Sequence, residues 1–198
     1  MAFTPAADDI VARCIARARA AVRRVVFPEG DDERIVAAAR TLADEAIAHP
    51  IVLGKRDAIG AAAQRAGVAL HGIDCRDPEG SPQLADYASR YAAARAGSNA
   101  RLAERAVRKP LSQAAMMVKS EDADALIAGA ATPTGRVIEA GLLTVGLAAG
   151  IRSPSSYFLM LVPQPDGRER AFLFADCAVN VEPDADTLAD IAIASAAS

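Results

Sequence analysis

Short apolar runs alternate with amphipathic segments through the first part of the chain. The β-branched and apolar runs Arg24–Phe27, Ile51–Gly54 and Ala125–Gly129 predict strands, and alternating polarity predicts another over Val68–Ile73. Apolar residues at helical spacing predict helices over residues 5–21, 31–44, 56–66, 83–96, 100–119 and 136–147. Strands that alternate with helices favour an α/β fold with a mainly parallel sheet and helices on both faces.

Local signals refine this pattern at several points. Asp31 is expected to cap the second helix, and Pro110 is expected to interrupt the segment 100–119. After Pro154 the apolar runs Tyr157–Val162 and Ala171–Ala175 flank turn residues and predict a hairpin, and a last helix is predicted over residues 185–197. The expected organisation is a first α/β domain over residues 1–149 and the beginning of a second over residues 150–198.

Composition excludes several classes of protein. The 22 basic and 25 acidic side chains give a net charge of −3, which argues against a general nucleic-acid binder. Three cysteines without a C-x-x-C pair indicate neither a disulfide framework nor a zinc site. A signal-peptide apolar region and a membrane-spanning run are both missing. We therefore expect a cytoplasmic protein that does not enter the membrane.

The strongest candidate for chemistry is the segment Ala128–Arg136, which follows a predicted strand and opens a predicted helix. Small residues and free N–H groups at such a position favour an anion, although an ordinary connecting loop has the same appearance. His49 and His71 are expected to be structural or exposed, since they are far apart in sequence. Cys177 is expected to be a buried, inert thiol, since no histidine is obviously supplied to it.

An acidic segment precedes the second predicted helix. Glu29, Asp31 and Asp32 could act as acid/base groups or metal ligands, but an acidic first helical turn is also explained by the helix dipole alone. The structural interpretation is favoured for Glu29 and also for Asp176.

Six strings occur in order along nearly the whole chain. They are P-E-G-D-D-E-R at residues 28–34, I-V-L-G at 51–54, A-G-A at 128–130, S-S-Y-F-L-M at 155–160, L-F-A-D-C-A-V-N at 173–180 and A-D-I-A-I-A-S-A at 189–196. Each short string is weak alone, but F-A-D-C-A-V-N is specific. Together they resemble the phosphate acetyltransferase and phosphate butyryltransferase family.

The resemblance implies a three-layer α/β fold like that of isocitrate and isopropylmalate dehydrogenases, and a homodimer. In a cleft between domains, acyl-CoA and inorganic phosphate would exchange to give acyl phosphate and CoA, with acetyl as the expected acyl group. Coenzyme A is a substrate here, and the family needs neither a cofactor nor a metal. A carboxylate base deprotonates the CoA thiol, arginines hold the phosphate, and hydrogen-bond donors stabilise the oxyanion.

The resemblance covers roughly the first three-fifths of the family's length. The last third of the family pattern carries the catalytic aspartate and an arginine and has no counterpart up to Ser198. The resemblance therefore implies a truncated member whose catalytic residues are unknown.

A second departure concerns the arginines that hold phosphate. A gapless register places Glu139 where relatives carry one of them, and Arg136 lies one helical turn earlier on the same face. Arg95 matches the other family arginine, on a Y-x-x-R helix, if two residues are lost nearby. The predicted phosphate- and CoA-binding residues are thus Arg95, Thr132, Thr134, Gly135 and Arg136.

Three functions follow from these observations. The first is a phosphate acetyltransferase in truncated form. The second is a catalytically silent module that senses CoA or acyl phosphate. The third is a domain that acts as an assembly partner, because the apolar last helix lacks a C-terminal cap and would expose apolar surface.

Overall fold

The computed structural model describes residues 10–93, 99–165 and 169–198. The helices in these ranges are α1 (Ile10–Ala20), α2 (Glu33–Asp44), α3 (Arg56–Ala66), α4 (Leu84–Ala93), α5 (Ala100–Val107), α6 (Pro110–Lys119), α7 (Thr134–Thr144) and α8 (Ala185–Ala197). The strands are β1 (Arg23–Phe27), β2 (Ala48–Leu53), β3 (Asp74–Arg76), β4 (Ala125–Leu126), β5 (Tyr157–Pro163) and β6 (Glu169–Ala175). A short 3-10 helix covers Pro78–Gly80. The chain divides into two compact units, residues 15–146 and residues 147–198 together with the chain up to Cys14.

The larger unit is built on a four-stranded sheet in the order β3-β2-β1-β4. All three strand pairs are parallel, with Val26 of β1 beside Ile51 of β2 and Leu126 of β4. The predicted parallel α/β sheet is therefore confirmed.

Helices cover both faces of this sheet, and successive side chains of a strand point to opposite faces. Val26 and Leu53 lie in one core cluster, with residues of α4, α5 and α6 such as Met116. Phe27 and Val52 lie in the other cluster, with residues of α2 and α3. Each fully buried aliphatic side chain of this kind contributes about 1.5–3 kcal/mol. The helices thus form a layer on each face of the sheet.

Two local predictions in this unit are wrong. Val68–Ile73 does not form a strand: Gly67 and Gly72 have φ values of 68° and 73°, so the chain turns there and the strand begins at Asp74. Val68 and Leu70 pack against the second core cluster from this connection, which explains their apolar character. Helix α2 is capped by Asp32 rather than Asp31, because the Asp32 side chain accepts the Arg34 N–H at 2.9 Å.

Pro110 acts as predicted. It occupies the first turn of α6, where its missing N–H leaves no helical hydrogen bond unmade, and α5 ends before it at Val107. The segment 100–119 is therefore two helices.

The smaller unit contains the predicted hairpin and last helix. Strands β5 and β6 are antiparallel, with Phe158 opposite Phe174, and Asp184 caps the N-terminus of α8 through the Thr187 N–H. Apolar side chains of this unit remain exposed, including Phe158 at 60%, Phe174 at 56% and Ile193 at 65%.

Candidate functional site

The strand order places a topological switch point at the carboxyl ends of β1 and β4. The chain runs from β1 through β2 to β3 and then returns to the other side of β1 as β4. Helix α2 packs on one face, whereas α7 packs against α6 on the opposite face. The loops that follow β1 and β4 therefore lead to helices on opposite faces of the sheet, and in open parallel sheets ligands bind outside the carboxyl ends of strands at such a switch point.

The Glu29 carboxylate joins the two loops at this switch point. Its Oε2 accepts the N–H groups of Gly129 and Ala130, both at 3.0 Å. Its Oε1 accepts those of Ala131 at 3.0 Å and Thr132 at 2.6 Å. Glu29 is only 5% exposed. A buried carboxylate from the loop after β1 thus binds four consecutive amides of the loop after β4.

Arg34 makes a second contact between the same two loops. Its Nη2 donates to the carbonyl oxygen of Ala130 at 2.7 Å. Asp32 orients the guanidinium through bonds of 3.0 Å to Nε and 2.6 Å to Nη2. The Arg34 side chain and N–H lower the pKa of Asp32 to about 2. Glu29 therefore accepts from the amides of the loop, and Arg34 donates to one of its carbonyls.

Two glycines make this arrangement possible. A Cβ at Gly30 would lie 2.7 Å from the Leu53 carbonyl oxygen and 2.7 Å from Val52 Cγ1, so no larger residue fits against β2. Gly129 has a φ of 110°, a conformation that residues with a side chain rarely adopt. Gly30 therefore lets the loop after β1 pack against β2, and Gly129 lets the loop after β4 turn toward Glu29.

Glu29 is ionised at neutral pH. Burial raises the pKa of its carboxyl group, but hydrogen bonds from the Thr132 side chain and from the loop N–H groups outweigh burial and hold that pKa below its usual value. The negative charge is therefore stabilised by the loop dipoles.

Helix α7 begins directly after this loop. Pro133 precedes it and provides no side-chain cap. Within the described ranges, the N–H groups of Thr134 and Gly135 have no protein partner. The Arg136 side chain is 74% exposed, and its Nη1 lies 3.7 Å from Glu139 Oε2. Free N–H groups at a helix N-terminus and a nearby guanidinium are suited to an anion.

The structure brings four of the five predicted binding residues together. Thr132, Thr134, Gly135 and Arg136 lie in sequence across the end of this loop and the first turn of α7. The Thr132 N–H is already used by Glu29. Arg95 lies outside the described residues.

The sequence analysis favoured a structural role for Glu29 but did not predict that its carboxylate binds the loop after β4. The signal that could have found it was an acidic residue after one strand and a run of small residues after another. Their contact depended on the strand order, because β1 and β4 are neighbours despite their separation along the chain.

The other candidates lie elsewhere. His49 is the second residue of β2 and so lies at the amino end of the strands, away from the Glu29 loops. His71 lies in a turn rather than in the predicted strand. The expected burial of Cys177 is wrong: the residue is exposed, and its thiol donates to the Phe174 carbonyl oxygen at 3.2 Å. In residues 10–93, 99–165 and 169–198 there is no group of three or more His, Cys, Asp or Glu placed to hold a metal. The helices in these ranges include none with the length and apolar character needed to cross a bilayer.

Several known proteins are similar to this chain in sequence and in fold. The chain is 34% identical over 177 residues to the phosphate acetyltransferase of Clostridium acetobutylicum, which covers 88% of this chain and 53% of the relative. It is 38% identical over 187 residues to the phosphate acetyltransferase of Treponema pallidum, covering 92% of this chain and 56% of the relative. The chain thus spans about half the length of these relatives.

Two solved structures share the fold. A phosphotransacetylase from Streptococcus pyogenes superposes with a TM-score of 0.86 at 26% identity, covering 96% of this chain and 57% of that chain. The EutD phosphotransacetylase from Staphylococcus aureus superposes with a TM-score of 0.81 at 26% identity, covering 90% and 54%. The family model described as phosphate acetyl/butaryl transferase matches residues 9–198. The chain therefore belongs to the phosphate acetyl/butaryl transferase family.

Proposed function

We propose that this chain is a phosphate acetyltransferase that acts in the cytoplasm on acetyl-CoA and phosphate and, in reverse, on acetyl phosphate and CoA. The observation that carries the proposal is the match of nearly the whole chain to phosphate acetyltransferases, and the free N–H groups at the start of α7 support it. Residues 1–149 would form the first domain and residues 150–198 the beginning of the second.

The proposed phosphate site is the first turn of α7. The free N–H groups of Thr134 and Gly135 would donate to phosphate oxygens, and the Thr134 hydroxyl lies in the same turn. Thr132, whose side chain hydrogen-bonds Glu29, would border the site. Arg136 would add a charge-assisted, bidentate contact. Arg95 is proposed from sequence alone as a further phosphate ligand.

These groups would act on the charge that develops during transfer. The CoA thiolate attacks the carbonyl carbon of acetyl phosphate, so that a C–S bond forms and the C–O bond to phosphate breaks. The electron pair of the broken bond leaves with inorganic phosphate. The α7 N-terminus and Arg136 would stabilise that departing charge, whereas the base that takes the thiol proton is not assigned among these residues.

The direct test is to mix the purified chain with CoA and acetyl phosphate and to follow thioester formation by absorbance against a blank without protein. Turnover would support the proposal and would place a base within these residues. Phosphate and CoA binding without turnover would instead support the sensing module. Failure to bind either ligand would overturn both functions.

Replacing Arg136 by alanine is expected to weaken phosphate binding about tenfold, because one charge-assisted hydrogen bond contributes about 1.5–3 kcal/mol and this side chain is solvent-exposed. Glu139→Gln is expected to strengthen binding, since it removes a carboxylate 3.7 Å from the guanidinium. Isothermal titration calorimetry with inorganic phosphate measures both effects.

Arg23→Ala is the matched control for Arg136. It removes the same charge from a side chain that is 70% exposed. Arg23 begins β1 and therefore lies at the amino ends of the strands, far from the start of α7. Equal affinities in the unchanged protein and Arg136→Ala would remove Arg136 from the site.

The proposed enzyme is a homodimer. Exposed apolar side chains on the hairpin and on α8 would be covered by a second copy, since contiguous apolar surface of this kind marks an interface. Light scattering should show a mass that rises above 20.5 kDa with concentration. Phe158→Lys should keep the protein monomeric, while Leu102→Lys, an exposed position in the larger unit, should not. A constant monomer mass at high concentration would contradict the dimer.

A further inference from the structure

We propose that Glu29, assisted by Arg34, is the positioning residue of the phosphate site: it holds the loop 129–132 in the one conformation that presents the first turn of α7 to phosphate. This inference rests on the proposed function. It assigns a role to a side chain that need not touch the ligand.

The first step of the argument is the number of donors that converge on one side chain. The amides of Gly129, Ala130, Ala131 and Thr132 all point toward the Glu29 carboxylate, at distances between 2.6 and 3.0 Å. The loop residues themselves are exposed or half-buried, so their N–H groups would turn to water if the carboxylate were removed. The Glu29 carboxylate, in contrast, is 5% exposed and needs these donors, because a buried charge without hydrogen bonds is costly. Without the carboxylate, the four amides would lose the acceptor that aligns their peptide planes.

The second step connects the loop to the site. Thr132 is followed by Pro133, whose ring restricts φ, and the free N–H groups of Thr134 and Gly135 come next. The direction of Thr132 therefore sets the direction in which α7 begins. A loop that rotates at residues 129–132 would turn those two N–H groups away from the proposed phosphate position.

The third step is the second contact of the same loop. Arg34 Nη2 donates to the Ala130 carbonyl oxygen at 2.7 Å, so the loop is bound both through its amides and through a carbonyl. The pKa of Arg34 is raised chiefly by its hydrogen bond and ion pair with Asp32, and the charge of Glu29 adds to the shift. Both contacts originate from the P-E-G-D-D-E-R segment at residues 28–34.

The test compares Glu29→Gln with the unchanged protein by amide hydrogen exchange and by titration with inorganic phosphate. Glutamine keeps the size of the side chain but places an NH2 group against two of the four amides and removes the charge. We expect the exchange of the amides of residues 129–132 to accelerate at least about tenfold, and phosphate binding to weaken by a similar factor.

Arg34→Ala is the second variant, which avoids dependence on a Glu29 variant that fails to fold, because the Arg34 side chain is 66% exposed. It should accelerate exchange in the same loop to a smaller extent and weaken phosphate binding. Arg65→Ala is the matched control. Its guanidinium donates to the Asp31 carbonyl oxygen at 2.8 Å and so contacts the loop after β1 without contacting residues 129–132. It should leave both measurements unchanged.

The outcomes separate the two proposals. Faster exchange with weaker phosphate binding supports the positioning role. Faster exchange with unchanged phosphate affinity means that Glu29 stabilises the fold alone and overturns it, as does unchanged exchange in both variants. If the unchanged protein binds no phosphate, the proposed site itself fails, and amide exchange still decides whether Glu29 orders the loop.

Discussion

Replacing Gly30 by alanine is expected to lower the free energy of unfolding by about 3 kcal/mol. The new Cβ would lie 2.7 Å from both the Leu53 carbonyl oxygen and Val52 Cγ1, and 3.0 Å from Ile59 Cγ1. Two of these neighbours, Leu53 and Val52, are fully buried in β2, so the loop after β1 must move instead. That movement would also disturb Glu29, and we expect the amides of residues 129–132 to lose protection together with the loss of stability.

Gly60→Ala provides the matched control for Gly30. Gly60 lies inside α3, and a Cβ there would meet nothing within 4 Å. Alanine in a helix interior is favoured over glycine by up to about 1 kcal/mol, so this variant should be slightly more stable than the unchanged protein. Urea unfolding at neutral pH measures both, and a Gly30→Ala midpoint equal to that of the unchanged protein would show that the β1–α2 loop yields easily.

Replacing Asp176 by asparagine is expected to destabilise the smaller unit by about 2 kcal/mol, because two donors would then face a donor group. The Asp176 Oδ2 accepts the Asn180 N–H and the Asn180 Nδ2, both at 2.7 Å. The Oδ1 accepts the N–H groups of Ser156 at 3.0 Å and Ala178 at 3.1 Å, as well as the Ser156 hydroxyl. This one carboxylate therefore connects the start of β5 to the segment that follows β6.

The effect of Asp176 should depend on pH in a defined direction. Burial raises the pKa of this carboxyl, but the Ser156 hydroxyl and the N–H groups of Ala178 and Asn180 outweigh it and hold the pKa well below its usual value. A group whose pKa is depressed on folding contributes stability that is present above the unfolded pKa, about 3.9, and is lost as pH falls toward the folded value. The difference between the unchanged protein and Asp176→Asn should thus be full at neutral pH and shrink below about pH 4.

Hairpin amide signals followed by NMR during acid titration and urea unfolding measure this difference. Asp186→Asn is the charge-matched control in the same unit. Its side chain is 76% exposed and pairs with Arg152, so its removal should change stability by less than about 0.5 kcal/mol. An Asp176→Asn difference that is constant from neutral pH to below pH 4 would contradict the role of the ionised carboxylate.

The sequence by itself determined the elements and the family. Helices α3 and α8 were predicted to their observed ends, because helical spacing and capping are local properties of neighbouring residues. The hairpin of β5 and β6 was predicted for the same reason, since its strands are joined by a short turn-rich segment. The strand expected at Val68–Ile73 was wrong because alternating apolar residues also suit a connection that packs on a core.

The tertiary structure decided which distant residues meet. Nothing in the local pattern of Glu29 or of Gly129–Thr132 indicates their contact, since about a hundred residues separate them. That contact exists because β4 returns to the free side of β1, which places the loops after both strands at one switch point. Strand order depends on how the whole chain buries the two apolar faces of the sheet. This order places the small residues of the loop after β4 beside Glu29 and so creates the candidate site.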